Sequence, residues 1–168
     1  MFEPKPITAD AVPAALEKAQ RYLMLNEPEQ AQSICEDVLA VEPDNQEALA
    51  ALILALTDRL YGPRPVSPQA ARDLLPRLRG EYERAYYAGI VSEREGIAWL
   101  RSDKPRAGSA AYECLTEAMG HYERAGALRP PANDDAILRW NSCARTIAAH
   151  PDVTPHEEPT EAAANLGE

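Results

Sequence analysis

An all-α fold of short helices in antiparallel pairs is what this chain predicts, and three observations carry that expectation. Apolar residues recur at three- and four-residue spacing nearly throughout the 168 residues, and no comparable stretch alternates with the two-residue period of a strand. Breakers then cut the helical pattern into short segments joined by brief connections, which favours hairpins of neighbouring helices. The breakers are Asn26-Glu27-Pro28, Glu42-Pro43-Asp44-Asn45, Tyr61-Gly62-Pro63-Arg64-Pro65, Ser102-Asp103-Lys104-Pro105 and Arg129-Pro130-Pro131-Ala132. With 45% hydrophobic and 26% charged residues, the chain has the composition of one domain with a real core.

Taken in order, the first helix is marked by Leu16, Ala19, Tyr22 and Leu23, and the second by Ala31, Ile34, Cys35, Val38 and Leu39. A third opens with Leu49, Leu52 and Leu56, after which the 61–67 insertion intervenes. Doubling a loop's length costs only about 0.6 kcal/mol, so the insertion need not break the stack. Ser67 before Pro68 reads as a cap followed by a first turn, starting a helix that runs toward Leu75. Pro76 would cost roughly 3 kcal/mol inside a helix, so a boundary is expected there, helped by Gly80. Helices then follow over about 81–100, 108–128 and 134–148.

Internal similarity sharpens the picture. Ala31, Cys35, Val38 and Pro43 are matched 87 residues later by Ala118, Tyr122, Ala125 and Pro130. With one inserted residue, Asn45, Glu47 and Ala48 are echoed by Asn133, Asp135 and Ala136. The first hairpin and the start of the next also align at a shorter period, Ala19 with Ile53 and Tyr22 with Leu56, a separation of 34 residues.

On these residues, segment 13–45 resembles the tetratricopeptide (TPR) repeat. Ala19 stands at that family's small position, Tyr22 at its aromatic one and Asn26 at its turn glycine. Ala31 takes the small position of the second helix, Cys35 its aromatic, Val38 a second small site, and Pro43 ends it. The chain departs from the family at Ala15, where tryptophan is usual, at Cys35 and at Asn26, a residue that still tolerates a left-handed backbone. The resemblance spans about 8–148, strongest in the first unit. It implies a right-handed superhelix of about three antiparallel helix pairs, with units near 8–43, 46–79 and 81–130 and a C-terminal capping helix over 134–148. Residues 1–7 would be an extension and 149–168 an acidic tail expected to be disordered.

The resemblance also implies a concave groove lined by the first helix of each pair, where a segment of another protein would bind. The side chains it places there are Leu16, Glu17, Gln20, Leu23 and Met24 on the first unit, and Glu47, Ala50, Ala51, Leu54 and Asp58 on the second. With Gly89 at the small position of the third, Tyr86, Tyr87, Ile90, Glu93 and Arg94 follow. Tyr and Arg are favoured at binding hot spots, while the alternative is that Tyr82, Tyr86 and Tyr87 pack between helices. Family members that grip a terminal carboxylate use Lys, Asn and Arg, but Leu16, Gln20 and Ala51 occupy the matching positions here. A chaperone-peptide role is therefore not expected.

Charge and motif content narrow the function classes. The formal net charge is −10, and Asp152, Glu157, Glu158, Glu161 and Glu168 lie near the C-terminal end with no Lys or Arg among them. Nucleic acid and anionic membranes both call for a basic face, so neither is expected as a partner. The first residues, MFEPKPITADAV, lack a signal-peptide pattern, and the longest apolar run, 48–56, is far below the ~20 residues of a membrane span. A cytoplasmic location is the expectation, and Cys35, Cys114 and Cys143 read as reduced, buried thiols.

No Gly-rich phosphate loop, CxxC pair or HExxH sequence is present. Cys114 and His121 are seven residues apart on one helix, about 10 Å along its axis, and do not form a dyad. His150 and His156 flank Asp152 without a preformed metal geometry, so neither a metal nor another cofactor is expected. Trp140 is expected to seal the end of the stack, with Arg139 and Arg145 on its solvent side. The leading expectation is thus a non-enzymatic adaptor or scaffold. A homo-oligomerising or accessory subunit, using the apolar 52–56 and 90–100 stretches, is the alternative, followed by an enzyme or small-molecule sensor built around His121, Cys114 and Trp140.

Overall fold

The structure is a computed structural model and describes residues 2–156. Among the described residues it is all-helical, with no strand. Seven α-helices run in the order α1 (Val12–Met24), α2 (Pro28–Val41), α3 (Gln46–Thr57), α4 (Pro68–Arg72), α5 (Glu81–Leu100), α6 (Ala107–Leu128) and α7 (Asp135–Ala149), with 3-10 turns at Ala9–Ala11 and Leu75–Arg77. None is long and apolar enough to cross a membrane.

Local chemistry sets the boundaries. α1 ends where Asn26 adopts φ 57°, with its N–H donating to the Leu23 carbonyl at 3.1 Å and the Glu27 N–H donating to Tyr22 at 2.9 Å. That pair of bonds is a Schellman closure, which needs a left-handed residue at the position asparagine fills. Pro28 then starts α2, where its missing N–H costs nothing. Asn45 caps α3, its Oδ1 accepting from Ala48 N–H at 2.9 Å while its amide donates to Glu42 at 2.8 Å. Ser67 caps α4 by accepting from Gln69 N–H at 3.2 Å.

α4 is only five residues long, so the second hairpin has a much reduced second helix. The chain leaves it before Pro76, forms the 3-10 turn and buries Leu78, and Gly80 then precedes α5.

Packing follows the small residues. Ala31, Cys35 and Val38 on α2 and their counterparts Ala118, Tyr122 and Ala125 on α6 are all at most 1% exposed. Gly89 on α5 lies against the Tyr122 ring, and Gly96 against Leu115, which is how the two longest helices come close together. α1 packs on α2 and α3, α2 on α3, α3 on α4 and α5, α5 on α6, and α6 on α7. Two cores meet along α5: Val91 faces the cluster containing Leu49, Ile53 and Ala71, Ile90 faces the one containing Leu115, Tyr122 and Cys143, and Tyr87 touches both.

The region after α7 differs from the expected tail in its first residues. Val153 is buried to 4% exposure in the second core, and the Asp152 carbonyl lies against Gly108 at the start of α6. The remainder of the expected disordered tail, residues 157–168, lies outside the described residues.

Candidate interaction surface

The residues expected to line a groove divide by burial. Gln20 and Met24 on α1 are exposed, as are Glu17 and Glu47. Leu23, Ala50, Leu54, Asp58, Tyr86, Tyr87 and Arg94 are half-buried, with side chains that reach both core and surface. Leu16, Ala51, Ile90 and Glu93 are interior, at 7%, 1%, 2% and 7% exposure, and offer no surface for a partner. Each sits where a neighbouring helix closes over it: Leu16 packs with Val38 and Ala48, Ala51 with Cys35 and Leu49, and Ile90 with Leu115 and Tyr122.

The half-buried residues bridge successive helices. Leu54 of α3 packs against the core built on α5, α6 and α7, while Asp58, just past the end of α3, accepts from Arg94 of α5 at 3.2 Å. On α5, Tyr82 stacks on Tyr86 with ring centres 5.7 Å apart and planes 12° apart. Tyr86 meets Tyr87 edge-on at 5.3 Å and touches Tyr122 at 6.0 Å. The three tyrosines are half-buried, packed against the second core while part of each ring stays accessible.

Glu93 is buried because it has work to do in the interior. Its Oε2 accepts from the Tyr122 hydroxyl at 2.5 Å, and its Oε1 accepts from Arg139 at 3.4 Å. Two donors on two other helices thus hold one carboxylate, which is the condition for burying a charge at tolerable cost. Arg139 is accordingly turned inward onto α5 and not onto the solvent side, whereas Arg145 is exposed. Burial, reinforced by Glu93, raises the Tyr122 phenol far above its ordinary range, so it stays a donor at all physiological pH. Glu93 falls on the same helical stripe as the buried Gly89, Ile90 and Gly96, but the donors that allow its burial lie on α6 and α7 and are not visible from that spacing.

Trp140 is half-buried, its indole N–H donating to Glu123 at 3.1 Å across the α6–α7 hairpin. Ile137, 39% exposed, lines a cleft of about 360 Å³ with Trp140, Ala127 and Ala136, and Leu128 and Leu138, elsewhere on α6 and α7, are exposed at 48% and 64%. Leu52 and Leu56, by contrast, are interior at 6% exposure each, so the apolar 52–56 stretch is already covered.

Cys35 and Cys143 are buried, whereas Cys114, expected to be buried, is only half-buried, and all three are free thiols. Burial, with Glu36 adding to it, pushes Cys35 up to about 11; burial with Glu95 pushes Cys114, and burial with Glu93 pushes Cys143, up to about 12. None is activated as a nucleophile, which needs the opposite shift. His121 is lowered by burial and by Arg124, to which its ring is hydrogen-bonded. Set against protein-family models, curated proteins and solved structures, the chain matches none of them.

Proposed function

We propose that this protein is a non-enzymatic interaction module of the TPR type, a stack of helix pairs whose first helices form a concave surface for a segment of another protein. The observation that carries this reading is the pattern of contacts between alternate helices. α1 packs directly on α3, and α3 on α5, in addition to the contact of each with its hairpin partner. Helices related in that way share one face, and a stack of them curves into a continuous binding surface. Gln20, Met24, Ala50, Leu54, Tyr86, Tyr87 and Arg94 are the side chains on offer.

Asp58 is offset by Arg94 and Glu93 by Arg139, so toward α5 the surface offers methyl groups and tyrosine rings, while Glu17 and Glu47 are exposed toward α1 and the start of α3; a segment with an apolar or aromatic stretch suits the first part. The test is affinity capture with the natural chain and with Ala50→Arg, which places a long side chain over the middle of the surface. Loss of a specific partner from the variant, with helix content unchanged, supports the reading. Retention of that partner at undiminished affinity would remove the groove from consideration.

Self-association is the second reading, favoured by the exposed Leu128, Ile137 and Leu138 on α6 and α7. It predicts a mass of two or more chains by light scattering, reduced to one by Leu138→Glu.

A further inference from the structure

The 61–67 insertion is a built feature of the surface. Val66 N–H closes it by donating to the Arg59 carbonyl at 2.9 Å, and it lies alongside the end of α5. Between them is a cleft of about 310 Å³ whose lining includes Tyr61, Pro65, Pro68, Trp99, Ser102 and Lys104. Its floor is aromatic and proline-rich, and its rim is cationic. Lys104 Nζ stands 5.4 Å from the centre of the Trp99 ring, and the Arg101 guanidinium 5.9 Å from that of Tyr61.

Three cations, Arg101, Lys104 and Arg106, fall within six residues here, in a chain of net charge −10. Among the described residues, no carboxylate comes within 4.0 Å of the charged groups of Arg101, Lys104 or Arg106. Glu95, the acidic residue in the lining, is already paired with Arg72 at 2.6 Å. Aromatic floors flanked by prolines accept extended, proline-containing segments, and cations at the rim select acidic ones.

The chain supplies such a segment itself, in Glu157-Glu158-Pro159-Thr160-Glu161. It follows residues that are anchored beside the same corner. Val153 is buried, and the Asp152 carbonyl lies so close to Gly108 that a Cβ there would stand 2.2 Å from it. Gly108 is in the first turn of α6, four residues after Lys104. Four residues separate by at most ~14 Å, while the nine from Asp152 to Glu161 can reach roughly 30 Å, so the cleft is within the segment's span.

We propose that the Tyr61–Trp99 cleft is an intramolecular docking site for residues 157–161, with the glutamates of that segment set against Arg101 and Lys104 and Pro159 against the aromatic floor. A cleft filled in this way is open to an outside acidic segment only by competition with the chain's own.

The indole N–H signals of the two tryptophans in the full-length chain test this, assigned with Trp140→Phe. Reversing the segment's charges (Glu157→Lys, Glu158→Lys, Glu161→Lys) is expected to move the Trp99 signal and leave that of Trp140 in place, which also reports an intact fold. Raising salt from ~0.1 to ~1 M, where the screening length falls from about 10 to about 3 Å, moves the Trp99 signal of the natural chain in the same direction. Adding Arg101→Glu and Lys104→Glu to the reversed segment returns it toward its original position. A Trp99 signal indifferent to the segment's charge overturns the proposal. So does a shift that grows with protein concentration, since it would assign the segment to a neighbouring copy.

Discussion

Gly89 and Gly120 both stand inside long helices, yet alanine at the two positions is expected to change stability in opposite directions. A Cβ added at Gly89 would lie 2.5, 2.7 and 2.9 Å from Cε1, Cδ1 and Cζ of Tyr122, against a preferred carbon–carbon separation of about 3.5–4.0 Å. Relief requires about 1 Å of movement by the ring or by α6. The ring is not free to give way, being 1% exposed with its hydroxyl tied to Glu93 at 2.5 Å. At Gly120, which is exposed, the added carbon meets nothing within 4 Å. Both substitutions gain the same backbone term, about 0.5–1 kcal/mol for replacing glycine in a helix. Gly120→Ala keeps that gain, and Gly89→Ala adds an overpacking cost of about 1–3 kcal/mol. The difference between the two variants is therefore that packing cost alone, equivalent to roughly 2–12 °C in Tm for a chain of this size. Thermal melts followed by circular dichroism at 222 nm measure it, with urea titrations as a check. Tyr122→Leu itself removes the donor to Glu93 and is destabilising, but in a double-mutant cycle Gly89→Ala is expected to cost less in the Tyr122→Leu background than in the natural chain, because the clashing edge is gone. If Gly89→Ala melts at or above Gly120→Ala, the approach of α5 to α6 is not limited by Tyr122 and the argument fails.

Three further outcomes follow from particular contacts. Asn26→Ala places a Cβ-bearing residue without a compensating side chain at φ 57°, and is expected to cost about 1 kcal/mol, whereas Asn26→Gly is neutral or stabilising; paired melts decide. Tyr122→Phe removes the hydroxyl that Glu93 accepts from and leaves a buried carboxylate with Arg139 alone, for an expected loss of about 1–3 kcal/mol in urea unfolding. The three raised thiols make stability fall in alkali. The folded chain keeps protons that the unfolded chain, with thiols near 9.0, gives up, so their contribution is whole below pH 9 and is lost as pH rises through about 11–12. Urea midpoints at rising pH check this: the decline above pH 9 is expected to be shallower in Cys143→Ala than in the natural chain, and equal slopes would contradict the assignment.

How far the sequence could be read depended on how local each determinant was. α5 was legible to the residue because Gly80 precedes it and the Ser102-Asp103-Lys104-Pro105 breaker follows within its own neighbourhood. The α1–α2 turn was legible because a left-handed asparagine and a following proline need no distant partner. The match of Ala31, Cys35 and Val38 with Ala118, Tyr122 and Ala125 was legible as a repeated spacing, and all six prove to be core. Glu93 was not legible as an interior residue, since its burial depends on donors 29 and 46 residues away, and a carboxylate beside Arg94 on a helix face reads as surface until those donors are known. The same distance rule applies to Val153, whose place in the core is set by α6, and to the 61–67 insertion, whose meaning comes from Trp99 on a later helix. Contacts with near neighbours in sequence determine which elements form; contacts made across the stack determine which of their faces are left for a partner. Register alone therefore put the interior Leu16, Ala51, Ile90 and Glu93 on the same face as side chains that keep some exposure, such as Gln20, Leu23, Met24, Asp58 and Tyr86.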